Sequence, residues 1–110
     1  MAVNKNAELR YRVLDSCFRN SGKRYFIEDL IKACDEALLE VNPGHRGLSR
    51  RQLFSDIRYM ESEAGYAIPL EKKKDGKKTY YQYSDRKFSI TNQPFKEDEL
   101  KQLQSAMLLL

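Results

Sequence analysis

Side chains that donate hydrogen bonds crowd into one short segment of the sequence, GLSRRQLFSDIRYM at residues 47–60. Arg50, Arg51 and Gln52 are adjacent, and Ser55 and Arg58 follow within the same segment. An arginine side chain binds phosphate or guanine through paired hydrogen bonds, and glutamine pairs with adenine in a similar way. The segment therefore has the residue types needed to recognise a nucleic acid.

A helix is required to bring these donors to one surface, and the sequence predicts one over residues 50–63. Ser49 is a favourable N-cap, Gln52 completes a Ser-x-x-Gln capping box, and Leu48 with Leu53 fits a hydrophobic staple. The helical period places four residues inward: Leu53, Ile57, Met60 and Ala64. Its outward positions are Arg51, Ser55, Arg58 and Tyr59. Phe54 lies off the apolar stripe, and the period leaves both burial and exposure open for it.

Arg50 and Arg51 stand in the first turn of this helix, where the helix dipole disfavours cations. An anionic ligand in front of the helix would reverse the sign of that effect. Taken singly, each arginine is more readily explained as a solvated surface residue, because charged side chains mostly lie outside. The argument for binding therefore depends on what accompanies them.

Two further helices are predicted before this segment, at residues 6–19 and about 26–41. The apolar stripe of the first is Ala7, Tyr11, Leu14, Cys17 and Phe18, and that of the second is Ile27, Leu30, Ile31, Cys34, Leu38 and Val41. The second helix also has an acidic face, formed by Glu28, Asp29, Asp35, Glu36 and Glu40. That face would repel a nucleic-acid backbone, so we expect it to point away from such a ligand.

A β-hairpin is predicted after the third helix, with strands at Ala67–Lys72 and Thr79–Tyr83. Asp75-Gly76, between two β-prone runs, is a strong turn signal. The tip carries the lysines that we expect to contact phosphates: Lys72, Lys73, Lys74, Lys77 and Lys78. Lysines also protect exposed sheet edges from aggregation, which is the alternative explanation. Tyr80, Tyr81 and Tyr83 could stack on bases, but alternation makes one side core and the other a half-exposed sheet face.

The charge distribution favours a polyanionic partner. The formal net charge is +4, but residues 42–91 alone carry eleven bases and six acids. His45, in the loop 42–47, is a lone histidine that is better explained as a loop residue than as a phosphate ligand. We expect no metal or cofactor, because Cys17 and Cys34 lack a second pair or a histidine cluster and fit buried apolar positions. No signal peptide or membrane span is recognisable, which predicts a cytoplasmic protein.

Residues 96–110 predict a final helix, with Leu100, Leu103, Met107 and Leu110 on one side. We therefore divide the chain into a DNA-binding domain at 1–91 and a C-terminal linker helix at 92–110. The apolar side of this helix is a candidate for homodimerisation.

The order of three helices and a basic hairpin is that of a winged helix-turn-helix domain, mainly α with a small β-hairpin wing. The run LSRRQLFSDIRYMES resembles the recognition helix of DeoR-type domains in bacterial WYL-domain transcriptional regulators. The opening NKNAELRYRVLDSCFRN, the hairpin and the ending ITNQPFKEDELKQLQSAMLLL are also similar to the N-terminal part of these regulators. The resemblance covers essentially the whole chain.

The resemblance implies that Ser49, Arg50, Arg51 and Gln52 begin the recognition helix. It also implies that Asp56 matches an acidic mid-helix position that makes a structural hydrogen bond or ion pair. Family members usually continue into a larger domain with a Trp-Tyr-Leu motif that senses a ligand. The chain contains no tryptophan, and we expect it to be a fragment of a longer regulator that dimerises through the C-terminal helix or that further domain.

Two functions from different classes follow. The first is sequence-specific binding of double-stranded DNA by a bacterial transcriptional regulator, with the third helix in the major groove and the hairpin on the phosphates. The alternative is a winged-helix module for protein–protein interaction, which would use the C-terminal helix and the acidic face of the second helix. An enzyme is not expected, because no acid–base pair or nucleophile motif is present.

Overall fold

The computed structural model describes residues 5–91, which form three helices and a small antiparallel sheet. The helices are α1 (Lys5–Arg19), α2 (Ile27–Val41) and α3 (Arg50–Glu61). The strands are β1 (Tyr25–Phe26), β2 (Leu70–Asp75) and β3 (Lys78–Tyr83), with the order β1-β3-β2 in the sheet. This arrangement confirms the predicted winged helix class. The predicted helix at 96–110 lies outside the described residues.

The core lies between the three helices and one face of the sheet. Its members are Leu14, Cys17, Phe18, Ile27, Leu30, Cys34, Leu53, Ile57, Met60, Ile68, Tyr81 and Tyr83. The apolar helical period predicted most of these positions, since residues three and four apart share a helix face. Tyr80 is half-buried on the other side of β3, so the expected division of the three tyrosines is confirmed.

The strand β1 was not predicted. Tyr25 pairs with Tyr81 and Phe26 with Tyr80, so this two-residue strand exists only through its pairing with β3. As a result α2 begins at Ile27, one residue later than expected, and the backbone N–H of Phe26 donates to Asp29 at 3.0 Å. Asp29 thus satisfies an otherwise unpaired backbone donor at the start of the helix.

The first strand of the hairpin lies further along the chain than predicted, whereas the second begins only one residue early and ends as predicted. Leu70 pairs with Tyr83 and Asp75 with Lys78, so Gly76 and Lys77 form a two-residue turn. Gly76 has φ +64, a conformation that suits glycine at the first central position of a tight turn. The predicted first strand at Ala67–Lys72 is therefore wrong at both ends, because Ala67 to Pro69 lead into β2 and Lys73 to Asp75 extend it.

Two predicted inward residues are wrong. Ala64 is exposed because α3 ends at Glu61, before the period reaches it. The following loop folds back so closely that a Cβ on Gly65 would collide with the carbonyl group of Tyr59. Val41, in the last turn of α2, is 63% exposed because no other element covers that end of the helix within the described residues.

Cys17 and Cys34 are free and buried, as predicted. Burial raises the pKa of Cys17 to about 11 and that of Cys34 to about 12, so both thiols stay protonated at neutral pH. Between residues 5 and 91, no group of three or more histidine, cysteine or acidic side chains is arranged to hold a metal ion. None of the helices described is long and apolar enough to cross a membrane.

A buried carboxylate anchors the segment after the hairpin to α1. Asp15 is 4% exposed and accepts hydrogen bonds from the Tyr83 hydroxyl at 2.7 Å and the Ser89 hydroxyl at 3.1 Å. The backbone N–H of Ile90 donates to the same carboxylate at 3.1 Å. Burial, followed by the hydrogen bond to Asp15, raises the pKa of Tyr83, so its hydroxyl remains a donor. The base of the wing is therefore fixed to the helical core.

Candidate nucleic-acid interface

The start of α3 is capped by Ser49, as predicted, but the second half of the capping box does not form. The Ser49 hydroxyl accepts a hydrogen bond from the backbone N–H of Gln52 at 3.1 Å. The Gln52 side chain does not return to Ser49. Its amide group instead donates to the Asp56 carboxylate, one turn later, at 2.9 Å. This bond turns the amide nitrogen of Gln52 toward Asp56.

A buried ion pair holds α3 against α1. Arg10 donates to Asp56 through Nε at 2.6 Å and through an Nη atom at 3.1 Å, a bidentate arrangement. Arg10 is 9% exposed and Asp56 2% exposed. The hydrogen bond to Asp56 raises the pKa of Arg10, so the guanidinium stays charged despite its burial. The ion pair expected at Asp56 is therefore present, and its partner comes from the first helix.

The turn between α2 and α3 is fixed by Asp35. Its carboxylate accepts from the backbone N–H of Leu48 at 2.7 Å and lies 2.7 Å from Nε2 of His45. His45 thus has an acidic partner in α2, in keeping with its interpretation as a loop residue. These contacts tie the loop before α3 to α2.

The residues in and just before α3 that the sequence predicts to contact DNA are all exposed. They are Arg50, Arg51, Ser55, Arg58 and Tyr59, together with Ser49 and Gln52. Tyr59 is also held in place: its ring stacks on Tyr11 at 5.2 Å between centroids, and its hydroxyl donates to the Ala64 carbonyl at 3.3 Å. Within the part of the chain that is described, Arg50, Arg51 and Arg58 have no carboxylate within ion-pair distance.

The five wing lysines are all exposed but differ in their neighbours. Lys72 forms an ion pair with Glu61 of α3 at 3.3 Å, and Lys73 one with Glu71 at 3.3 Å. No carboxylate of residues 5–91 lies that close to the others, which are Lys74, Lys77 and Lys78. Arg24 binds Asp75 at 3.0 Å, so the single acidic residue at the tip is neutralised from outside the hairpin.

An open cleft of about 240 Å³ joins the two basic elements. Arg50 and Phe54 of α3, Lys77 and Lys78 of the wing, and Glu28 of α2 line it, together with Phe26, Ile27, Thr79 and Tyr81. The expectation that the whole acidic face of α2 points elsewhere is therefore wrong for Glu28. This carboxylate lies at the start of α2, which the pairing of β1 with β3 brings to the wing.

Comparison with known proteins places this arrangement in a family. Residues 6–84 match the N-terminal winged helix domain of WYL domain-containing proteins. The chain belongs to this family. Its members are generally DNA-binding regulators, and the family is not one of enzymes. The match extends from α1 to the end of the hairpin and includes every element that positions the exposed cations. No curated protein and no solved structure significantly resembles the chain.

Sequence reasoning missed two buried charged residues of this WYL winged helix domain, Arg10 and Asp15, and it expected a pair at Asp56 without identifying Arg10 as the partner. Each one nevertheless occupies an apolar stripe. Arg10 lies three residues after Ala7 and four before Leu14, and Asp56 lies three after Leu53 and four before Met60. A charged residue at such a position faces inward and must be paired, because burying a lone charge is costly. Opposite charges on the stripes of two helices were therefore a usable signal.

Proposed function

We propose that this winged helix domain binds double-stranded DNA sequence-specifically, with α3 in the major groove and the wing lysines on the flanking phosphates. The observation that carries the proposal is one cleft to which both basic elements contribute exposed cations that form no ion pair within residues 5–91. Arg50 of α3 and Lys77 and Lys78 of the wing line the same cleft. One duplex could contact both elements at once, with α3 in the major groove, which admits one helix, and the wing on the neighbouring phosphates.

The proposed roles follow from position on α3. Arg51, Ser55 and Arg58 lie opposite the buried residues Leu53 and Met60, so they would reach deepest into the groove. Arginine at such a position favours guanine, through its O6 and N7 acceptors. Arg50 faces the wing, and Ser49 and Tyr59 would contact the backbone at the two ends of the helix.

Gln52 has a more restricted role than its residue type suggests. Its amide nitrogen is engaged by Asp56 at 2.9 Å, which leaves the amide oxygen directed away from that carboxylate. We infer that Gln52 offers its amide oxygen as an acceptor and keeps only one of its two amide hydrogens as a donor. It would then favour bases that present an amino group in the major groove, which are adenine and cytosine.

Arg51→Ala is expected to remove sequence preference while retaining binding. A bidentate arginine–guanine contact discriminates by about 1–3 kcal/mol, so the ratio of affinities for preferred and scrambled duplexes should fall about tenfold or more. The preferred duplex would be selected from a randomised pool with the unaltered protein. Fluorescence anisotropy on both duplexes, across a salt series, measures the ratio.

Lys32→Ala is the matched control for Arg51→Ala, because Lys32 is an exposed cation on α2, among the acidic side chains. It should leave both affinities and their ratio unchanged. Equal loss of preference in the two variants, or an absence of duplex binding at low salt, would contradict the proposal. Binding without salt dependence would do so as well, because phosphate contacts release counterions.

We further propose that residues 1–91 are the DNA-binding domain and that 92–110 form a linker helix through which two copies associate. The support is the apolar period of Leu100, Leu103, Met107 and Leu110. Light scattering should give a dimer mass for the chain and a monomer mass after removal of residues 96–110. A dimer that survives the truncation would exclude this helix, and self-association without duplex binding would favour a protein-interaction module instead.

A further inference from the structure

Phe54 is a large apolar side chain on the surface that we propose faces DNA. It lies in α3 between Leu53 and Ser55, and it is 39% exposed. It is not part of the hydrophobic core cluster, and none of the aromatic ring pairs formed by residues 5–91 includes it. Packing of the core therefore does not explain why a large apolar side chain occupies this position.

The charged side chains around Phe54 are mostly cations. It lines one cleft with Arg50, Lys77, Lys78 and Glu28, and a second cleft with Arg58 and with Lys72, which is paired to Glu61. Cations outnumber carboxylates in both clefts, three to one in the first and two to one in the second. Tyr81 forms the floor that the two clefts share. An apolar ring with Arg50 on one side and Arg58 on the other suits a ligand that is anionic along its edges and apolar at one point.

The major groove of DNA offers such a point. Its edges are phosphates and polar base atoms, and the apolar group that it presents is the 5-methyl group of thymine. 5-Methylcytosine carries a methyl group on the same ring carbon. Contact with a ring such as phenylalanine removes both apolar surfaces from water, which is favourable in proportion to the area buried.

We propose that Phe54 reads the 5-methyl group of a pyrimidine in the major groove. The proposal rests on the proposed function, since it requires α3 to lie in that groove. Phe54 points toward the wing side of α3, so the methylated base lies on the wing side of the bases read by Arg51 and Arg58. The chemistry recognised is the methyl group itself, carried by thymine or by 5-methylcytosine.

The test uses the full chain and the duplex selected for the proposed function. Each thymine of that duplex is replaced in turn by deoxyuridine, which removes the methyl group and keeps every hydrogen-bonding atom. Burial of one methyl group predicts about a fourfold loss of affinity at the position that Phe54 contacts. At the remaining thymines the affinity should change by less than that.

The variants Phe54→Ala and Phe54→Leu connect this loss to the side chain. Phe54→Ala should bind the thymine and deoxyuridine duplexes equally, whereas Phe54→Leu, which stays apolar, should retain part of the ratio. Lys32→Ala is the control, because Lys32 is exposed on α2, away from the proposed interface, and its loss should leave the thymine-to-deoxyuridine ratio intact. Circular dichroism confirms that each variant folds, and Phe54→Leu supplies the comparison if Phe54→Ala does not.

The source of the methyl group is settled in a second arm of the experiment. The position that responds to deoxyuridine is changed to cytosine and to 5-methylcytosine, each paired with guanine. Recovery of affinity by 5-methylcytosine over cytosine, lost in Phe54→Ala, would show that both sources are read. Recovery by thymine alone would restrict the contact to thymine.

The two proposals fail differently. If no duplex is bound, the proposed DNA binding and the proposed methyl contact are both contradicted. If the protein binds a preferred duplex but tolerates deoxyuridine at every position, only the role of Phe54 is overturned. The same conclusion follows if Phe54→Ala keeps the full thymine-to-deoxyuridine ratio.

Discussion

Asp56→Ala is expected to destabilise the domain by about 3–5 kcal/mol, the cost of leaving one partner of a buried ion pair uncompensated. Asp56 is 2% exposed and accepts both hydrogen bonds from Arg10 as well as one from Gln52. Its removal leaves the Arg10 guanidinium, itself 9% exposed, without a counterion. Loss of the pair also removes one of the contacts between α3 and α1 and leaves their apolar packing, so the exposed side of α3 should become less ordered.

Urea denaturation followed by circular dichroism measures this effect through the free energy of unfolding. The double variant Arg10→Met/Asp56→Leu tests the cause, because replacing a buried pair with apolar side chains is often neutral or stabilising. It should recover most of the stability that Asp56→Ala loses. Glu36→Ala, at an exposed position of α2, is the matched control and should change stability by less than about 0.5 kcal/mol. Equal stability of Asp56→Ala and the control would refute the importance of the pair.

The helices of this domain could be predicted from sequence because their apolar period is local information. Leu14, Cys17 and Phe18, like Leu53, Ile57 and Met60, recur at intervals that place them on one face whatever the rest of the chain does. The ends of the elements were less predictable. Strand β1 is only Tyr25 and Phe26, and it becomes a strand because β3 lies beside it in the folded chain.

The candidate site shows the same division. The candidate binding residues of α3 and the wing could be predicted from sequence, because arginine after a serine cap and lysine beside a glycine turn are local patterns. The ion-pair partners of the charged residues could not be predicted. The ion pair of Lys72 with Glu61 joins the wing to α3, and Arg24 reaches Asp75 from before β1. Such pairs depend on tertiary proximity, and they decide which lysines remain available for a ligand.

That distinction gives the prediction with the largest expected effect on binding. Replacing Lys74, Lys77 and Lys78 together by glutamine should lower the slope of log affinity against log salt by about 0.9 for each lysine that neutralises a phosphate. Affinity should fall most at low salt, where counterion release contributes most. Preferred and scrambled duplexes should be weakened alike, because phosphate contacts carry no sequence information directly.

Lys72→Gln is the control within the wing, since Glu61 already neutralises this lysine at 3.3 Å. Its effect on the salt slope should be smaller than one third of that of the triple variant. Lys32→Gln, on α2, should leave the slope unaltered. If the triple variant retains the full salt slope, the wing does not lie on the phosphates, and the exposed lysines serve only to protect the edge of β2. If instead the slope falls while discrimination between duplexes is kept, α3 reads the sequence and the wing supplies affinity. The wing would then act through its charge alone, without base contacts at the tip.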